Sequence, residues 1–246
     1  MTVPERLRLN GNTLKLLAVF FMVFDHACTL FFPEHLFLRA IGRPGFAFFA
    51  FLIAEGCRYT RHRLRHFLLV FSVAAVCQVA YTVATGDTHL NALLTFSLAI
   101  LLCYALDVAK TYGVDATLPL GIRLLGVLLF PLAMVAAWLL TDRFSFDYGF
   151  YGAIVPVFAS LFHSPRGRTA PWSRLDRNVV HVATLSIGLI LLAYHSLPLA
   201  YFMLLGIPFL LLYSGKRGRW RMKYFFYIAY PAHFLVLMGI YLLLQL

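Results

Sequence analysis

The sequence predicts an all-α integral membrane protein, a polytopic bundle of about nine transmembrane helices with a cytoplasmic N-terminus. Three observations carry this reading. The 246 residues are 61% hydrophobic and only 13% charged, with a mean hydropathy of +0.80. A soluble domain is nearer half apolar and a quarter charged. Apolar runs approaching the roughly 20 residues of a helical span recur from end to end. Basic residues gather in alternate connections between them.

The first run, 14–32, has a basic flank and could pass for a signal-peptide core. It carries Asp25 and His26, and no A-x-A pattern follows, so it reads as an uncleaved first span. Runs at 44–60 and 64–84 flank the basic stretch "CRYTRHRLRH". Runs at 89–107, 120–140 and 147–162 follow. The next two, 179–195 and 198–213, are joined by little more than His195-Ser196-Leu197-Pro198. The last is 223–244. No stretch is polar and long enough for a soluble domain, so residues 1–246 read as a single membrane domain.

Orientation follows from Lys and Arg. A cytoplasmic N-terminus puts Arg6, Arg8 and Lys15 inside, with Arg58, Arg61, Arg63 and Arg65. Lys110, Arg123, Arg166, Arg168, Arg174 and Arg177 join them, as do Lys216, Arg217, Arg219, Arg221 and Lys223. Of the 21 basic residues, only Arg39, Arg43 and Arg143 are left outside. The net charge of +11 is therefore explained by topology and excludes nothing but the need for a nucleic-acid partner. Cys28, Cys57, Cys77 and Cys103 fall in apolar segments with no CxxC spacing and read as small buried residues, neither a disulfide framework nor a metal site.

The polar residues that the bilayer should exclude cluster by depth. Asp25 and His26 lie in the outer half of span 1, and Arg43 opens span 2. Asn91 and Thr95, four apart on one helix face, open span 4. Asp147 and Tyr148 open span 6, and His233 lies about mid-depth in span 9. Glu55 is a buried carboxylate near the inner end of span 2, with Arg58 and Arg61 for company. An ionisable residue inside a membrane is costly, and marks function by default. Each also has a plain structural reading: Asn91 and Thr95 as interhelical glue, Asp147 as a solvated span end, Pro231 as a kink. Lys15 and His26 are eleven apart, about three turns, so they share a helix face roughly 16 Å apart. That spacing suits a long anionic ligand whose reactive end reaches His26. Asp25 diverges from His26 by about 100°, which makes Arg43 or His233 the more natural partner.

These residues sit in segments that resemble the TraX family of pilin acetylases and, more loosely, the acyltransferase-3 group of membrane acyltransferases. The matching stretches are "LKLLAVFFMVFDH", "IGRPGFAFFAFLIAEGCRYT", "LNALLTFSL", "DYGFYG" and "FFYIAYPAHFL". Lys15 and His26 match the basic-x10-His pattern, with Lys in place of the commoner Arg. Gly45 stands where relatives tend to carry a larger apolar residue. The resemblance implies acetyl transfer from cytoplasmic acetyl-CoA, as co-substrate, to a protein or glycan acceptor at or beyond the membrane. The N-terminal amine of a pilin is the family's acceptor, and a bacterial inner membrane the implied location. His26 would be the general base, and Asp25 would hold the site or bind a cationic acceptor. Asn91, Thr95 and Tyr148 would serve the oxyanion, with Arg43, Asp147 and His233 around the acceptor. Lys15, Glu55, Arg58 and Arg61 would line the acetyl-CoA path, and no metal is called for. Two rival classes use the same residues: a small transporter or proton relay, and a non-catalytic assembly subunit. The first is disfavoured by the lack of paired Gly/Pro-broken spans in matching halves.

The orientation is checked with reporters. A fusion after Leu246 should be active outside the cytoplasm and an insertion in 163–178 active inside it. Activity of both on one side rules out the nine-span alternation.

Overall fold

The computed structural model describes residues 8–165, 170–196, 198–220, 222 and 224–245. Arg6, Arg166, Arg168, Leu197, Arg221, Lys223 and Leu246, used above, lie outside the described residues. The helices are α1 (Gly11–Phe31), α2 (Leu36–Gly42), α3 (Pro44–Tyr59), α4 (Arg63–Thr85), α5 (Ala92–Val114), α6 (Leu120–Arg143), α7 (Gly149–Ser160), α8 (Asn178–His195), α9 (Ile207–Leu211) and α10 (Phe225–Gln245). A 3-10 stretch, Pro198–Gly206, leads into α9. Among the described residues there is no strand, only isolated bridges between Leu9 and Tyr213 and between Leu90 and Phe146. The chain is an all-α, polytopic membrane bundle.

Seven stretches among the described residues are long and apolar enough to cross a membrane: Gly11–Phe31, Leu36–Tyr59, Arg63–Thr85, Ala92–Val114, Leu120–Arg143, Asn178–His195 and Tyr227–Leu244. The expected sixth and eighth spans are shorter apolar helices, Gly149–Ser160 and Pro198–Leu211. The expected second span is corrected. It starts at Leu36, not at residue 44, so Arg39 and Arg43 lie within it rather than in an outer loop. Arg43 keeps helical backbone angles between α2 and α3, and Pro44 at the start of α3 forfeits an N–H that has no helical partner anyway.

Two compact units emerge, one formed by Met1–Leu52 with Leu189–Leu246, the other by Ile53–Gly188. In the first, α1 packs on α2 and α10, and the 3-10 stretch packs on α2. Asn10 caps α1, its Oδ1 accepting from the amides of Asn12 (2.9 Å) and Thr13 (3.1 Å). The contact of α1 with α2 is set by Gly42. A Cβ there would lie 2.5 Å from Asp25 Cβ and 2.7 Å from its backbone N. Gly45, one turn on, would bring a Cβ to 3.1 Å from Met22 N, so a residue without a side chain suits this close approach.

In the second unit α5 is the spine, flanked by α4, α6 and α7. Half of its apolar window is buried, against 11% for α4 and α6. The exposed Leu124, Leu125, Leu128 and Leu132 of α6 therefore face hydrocarbon. Although α7 is short, its segment is tied to the α5 segment at two levels. At one end Asp147 N–H donates to Leu90 O (2.8 Å); at the other Lys110 Nζ donates to Ser160 O (2.5 Å) and His163 O (3.2 Å).

Gly42→Ala should force α1 and α2 apart. Overpacking of this kind costs about 1–3 kcal/mol, so the thermal midpoint of the purified protein in detergent should fall. An unchanged midpoint contradicts the close approach.

Candidate functional site

The residues singled out from the sequence fall into three groups. In the first unit, α1, α2 and α10 bring together Asp25, His26, Arg43 and His233. Asp25 Oδ2 lies 3.8 Å from Arg43 Nη1, both side chains largely buried. The pair exists because Gly42 lets α2 press against the backbone at Asp25. His26 and His233 rings are 4.9 Å apart between centroids, and Phe234 lies 5.0 Å from His26 and 4.4 Å from His233.

The helices fix both tautomers. His26 Nδ1 is 2.8 Å from Met22 O, and His233 Nδ1 is 3.2 Å from Ala229 O. A carbonyl only accepts, so each Nδ1 carries the proton and each Nε2 the lone pair. His233 Nε2 is buried with no hydrogen-bond partner among the described residues, as are Asp25 Oδ1 and Arg39 Nε. Sequence reasoning missed Arg39 because it placed that residue outside the span. Its charge acts on His26 together with those of Asp25 and Arg43. Lys15 lies on the same helix as His26, near the α1 start.

The second group lies at one end of the second unit, where Asn91, Thr95, Asp147 and Tyr148 do structural work. Asn91 caps α5 and donates its amide to Ala74 O (3.0 Å) and Gln78 Oε1 (3.1 Å). Thr95 Oγ1, fully buried, donates to Asp147 O (2.5 Å). Tyr148 adopts a left-handed conformation (φ 61°) that turns the chain into α7. The donors of Asn91 and Thr95 are thus engaged within the bundle.

The third group lies at the opposite end of the same unit. Glu55 and Arg58 are there, and with them residues the sequence had not assigned. Arg58 Nη2 pairs with Asp176 Oδ1 (2.9 Å), and Ser164 N–H donates to Asp176 Oδ2 (3.0 Å). His181 Nε2 donates to Asp176 Oδ1 (2.9 Å), which leaves the buried His181 Nδ1 with no hydrogen-bond partner among the described residues. His163 stacks edge-on against His181 (4.3 Å) and lies 3.8 Å from Glu55. Arg63 pairs with Asp107. Cys57 and Cys103 touch, and Ser160 Oγ donates to Cys103 Sγ (3.6 Å). A cavity of about 30 Å3 between Cys57, Arg58, Cys103, Lys110 and His163 has room for little more than water. Arg61 stands apart, exposed in the turn after α3. Among the described residues no group of three or more His, Cys, Asp or Glu could hold a metal ion.

Two groups here titrate outside the spans. Burial pushes the His163 imidazole well below its ordinary value, and His181, Arg58 and Lys110 push the same way. Burial alone would raise Asp176, but the Ser164 amide, Arg58 and His181 bring its carboxyl below the usual range.

Fold and buried groups define a multi-pass helical membrane protein with ionisable clusters in its interior. The chain belongs to the TraX family, whose model, described as TraX protein, matches residues 10–241. It is similar to the "Probable fimbrial assembly protein FimC, serogroup H1" of Dichelobacter nodosus, 27% identical over 252 residues that cover 94% of this chain and 96% of that protein. No solved structure matches the chain.

His163 stays neutral in the fold but protonates when the chain unfolds below its ordinary value. Above about pH 6.5 both states are neutral and the depressed value has no effect on stability. As pH falls below that, stability should drop by up to about 1.4 kcal/mol per pH unit. Asp176 adds a further loss only below the ordinary carboxylate range, as its own carboxyl takes up a proton. Thermal midpoints between pH 7 and 5 test this: His163→Gln should flatten the slope relative to the unsubstituted protein. An identical slope removes His163 from the account.

Proposed function

We propose that the protein is an acetyltransferase of the bacterial inner membrane. It moves an acetyl group from cytoplasmic acetyl-CoA to an acceptor at or beyond the membrane, the N-terminal amine of a pilin-like protein. One observation carries the reading: His26, deep in α1, has its tautomer fixed by Met22 O so that Nε2 bears the lone pair beside His233. A neutral imidazole whose Nδ1 holds the proton, and whose Nε2 keeps the lone pair, is equipped as a general base. Membership of the TraX family and similarity to a protein named for fimbrial assembly support the choice of acceptor.

In this mechanism His26 Nε2 takes a proton from the acceptor as its nitrogen attacks the thioester carbonyl. The C–S bond then breaks and CoA leaves as the thiol, taking the proton that His26 gives back. Asp25 and Arg43 hold α1 against α2 so that His26 keeps its place. Lys15, on the His26 face towards the cytoplasm, meets the anionic part of the donor. Glu55 and Arg58 shape the cytoplasmic end of their own unit, Arg58 through Asp176. Asn91, Thr95, Asp147 and Tyr148 fix the ends of α5 and α7. His233 crowds His26 and sets the width of the reacting site.

Purified protein in detergent, given acetyl-CoA and a peptide with a free N-terminal amine, should release CoA and acetylate the peptide. His26→Ala should bind acetyl-CoA as before but transfer about 10²–10⁴-fold more slowly, the usual contribution of a general base. Transfer at the unsubstituted rate would show that another group is the base.

A further inference from the structure

The loop between α9 and α10 contains "SGKRGRW" (Ser214–Trp220). Read as sequence it is only a cytoplasmic run of positive charge. The structure shows a defined shape, held by the segment before α1 and by the first residues of that helix. Leu9 N–H donates to Leu212 O (2.9 Å) and Ser214 N–H to Leu9 O (2.8 Å). Gly11 N–H then donates to Lys216 O (2.8 Å) and Asn12 N–H to Arg217 O (3.2 Å), while Asn12 Nδ2 donates to Trp220 O (2.9 Å).

These bonds fix the direction of the loop's own amides. In a trans peptide the N–H points opposite to the C=O of the same unit. With the carbonyls of Lys216 and Arg217 turned towards α1, the N–H groups of Arg217 and Gly218 project to the other side. Gly215 (φ 72°) and Gly218 (φ 88°) are both left-handed, which lets the chain curl this way. Successive amides facing one side of such a curl form an anion-binding concavity. A side chain at 218 is sterically barred as well: its Cβ would lie 2.5 Å from Asn10 Oδ1.

The side chains match. Lys216, Arg217 and Arg219 are exposed, and among the described residues no carboxylate pairs with them. Arg217 also lies close enough to Lys15 for the two cations to repel. Trp220 follows at once, with 70% of its surface exposed. Positive-inside charge needs none of this geometry. It does not call for two left-handed glycines, for carbonyls drawn onto α1, or for cations gathered against one another.

We propose that Ser214–Trp220 is a phosphate-binding loop. The amides of Arg217 and Gly218 and the side chains of Lys216, Arg217 and Arg219 hold phosphate oxygens, and the Trp220 indole lies against whatever the phosphate carries. The ligand is a phosphate ester, from a nucleotide or from an anionic lipid headgroup. The loop stands independently of the acetyl-transfer reading, whose donor carries phosphates of this kind.

The full chain in nanodiscs of phosphatidylcholine is titrated with adenosine 3′,5′-bisphosphate while tryptophan fluorescence is followed; Trp220→Phe isolates the signal of that residue. A second set of nanodiscs adds phosphatidylglycerol without nucleotide. A saturable Trp220 response is expected in at least one arm, and the responding arm names the source. Two variants test the loop. Lys216→Gln/Arg217→Gln lies on the surface and leaves the fold intact. Gly218→Ala keeps every charge but places a methyl against Asn10. Each should weaken the response about tenfold or more, the scale of one charge-assisted hydrogen bond. No response in either arm, or full affinity in the double charge variant, overturns the proposal. A folded Gly218→Ala protein of unchanged affinity also overturns it, since plain charge attraction would then suffice. Binding is read without any transfer reaction, so its failure leaves the acetyltransferase reading standing, and loss of transfer leaves the loop.

Discussion

The first unit depends on a single constraint: a carboxylate in the middle of a hydrocarbon-spanning helix must find its counter-charge within the protein. Asp25 finds Arg43, and it can do so because residue 42 has no side chain. With α2 pressed against the backbone at Asp25, Arg43 follows at the next position and reaches the carboxylate. Pro44 then restarts the helix without losing a helical hydrogen bond. Breaking a buried ion pair by removing one partner costs about 3–5 kcal/mol, so the α1–α2 contact and the charge pair are one device. His26, the next residue, inherits its position from that device and faces α10 instead.

The second unit meets the same constraint with backbone groups. Helix α5 supplies a hydroxyl at one end and an ammonium at the other, Thr95 to Asp147 O and Lys110 to Ser160 O and His163 O. The lysine acts where helix carbonyls run out of partners, at the negative end of α7's dipole. A helix of 12 residues is too short to span a bilayer by rise alone. Anchored at both ends along α5, with turns at 145–148 and 161–163, its segment still runs from the Leu90 level to the Lys110 level.

Much of this was legible in the sequence. Long apolar runs gave the spans. What the sequence did not reveal has physical causes. Arg39 and Arg43 lower local hydropathy, which hid the first turns of span 2. The helix tolerates them because their charges turn inward, towards His26 and Asp25. Asn91 and Thr95 do share a helix face, but their partners lie on α4 and at residue 147, and no spacing rule sees those. The Asp176–His181–Arg58 network was invisible for the same reason: a polar residue in a basic loop looks solvated until the fold closes over it. His26 and His233 are 207 positions apart, linked in sequence only by similar depth.

The His26–His233 pair also differs from a structural lock. A lock is most stable when every buried donor and acceptor is satisfied, because an unsatisfied one costs about 1–3 kcal/mol. Asn91 behaves as a lock, its oxygen and nitrogen both engaged. The histidines do not. Each gives Nδ1 to a carbonyl one turn earlier on its own helix and holds Nε2 as a lone pair, and that of His233 has no partner among the described residues. Glutamine or leucine would fill such positions at lower cost were packing the only demand. Under the acetyl-transfer proposal, two oriented bases side by side are where a proton from the acceptor would be taken up.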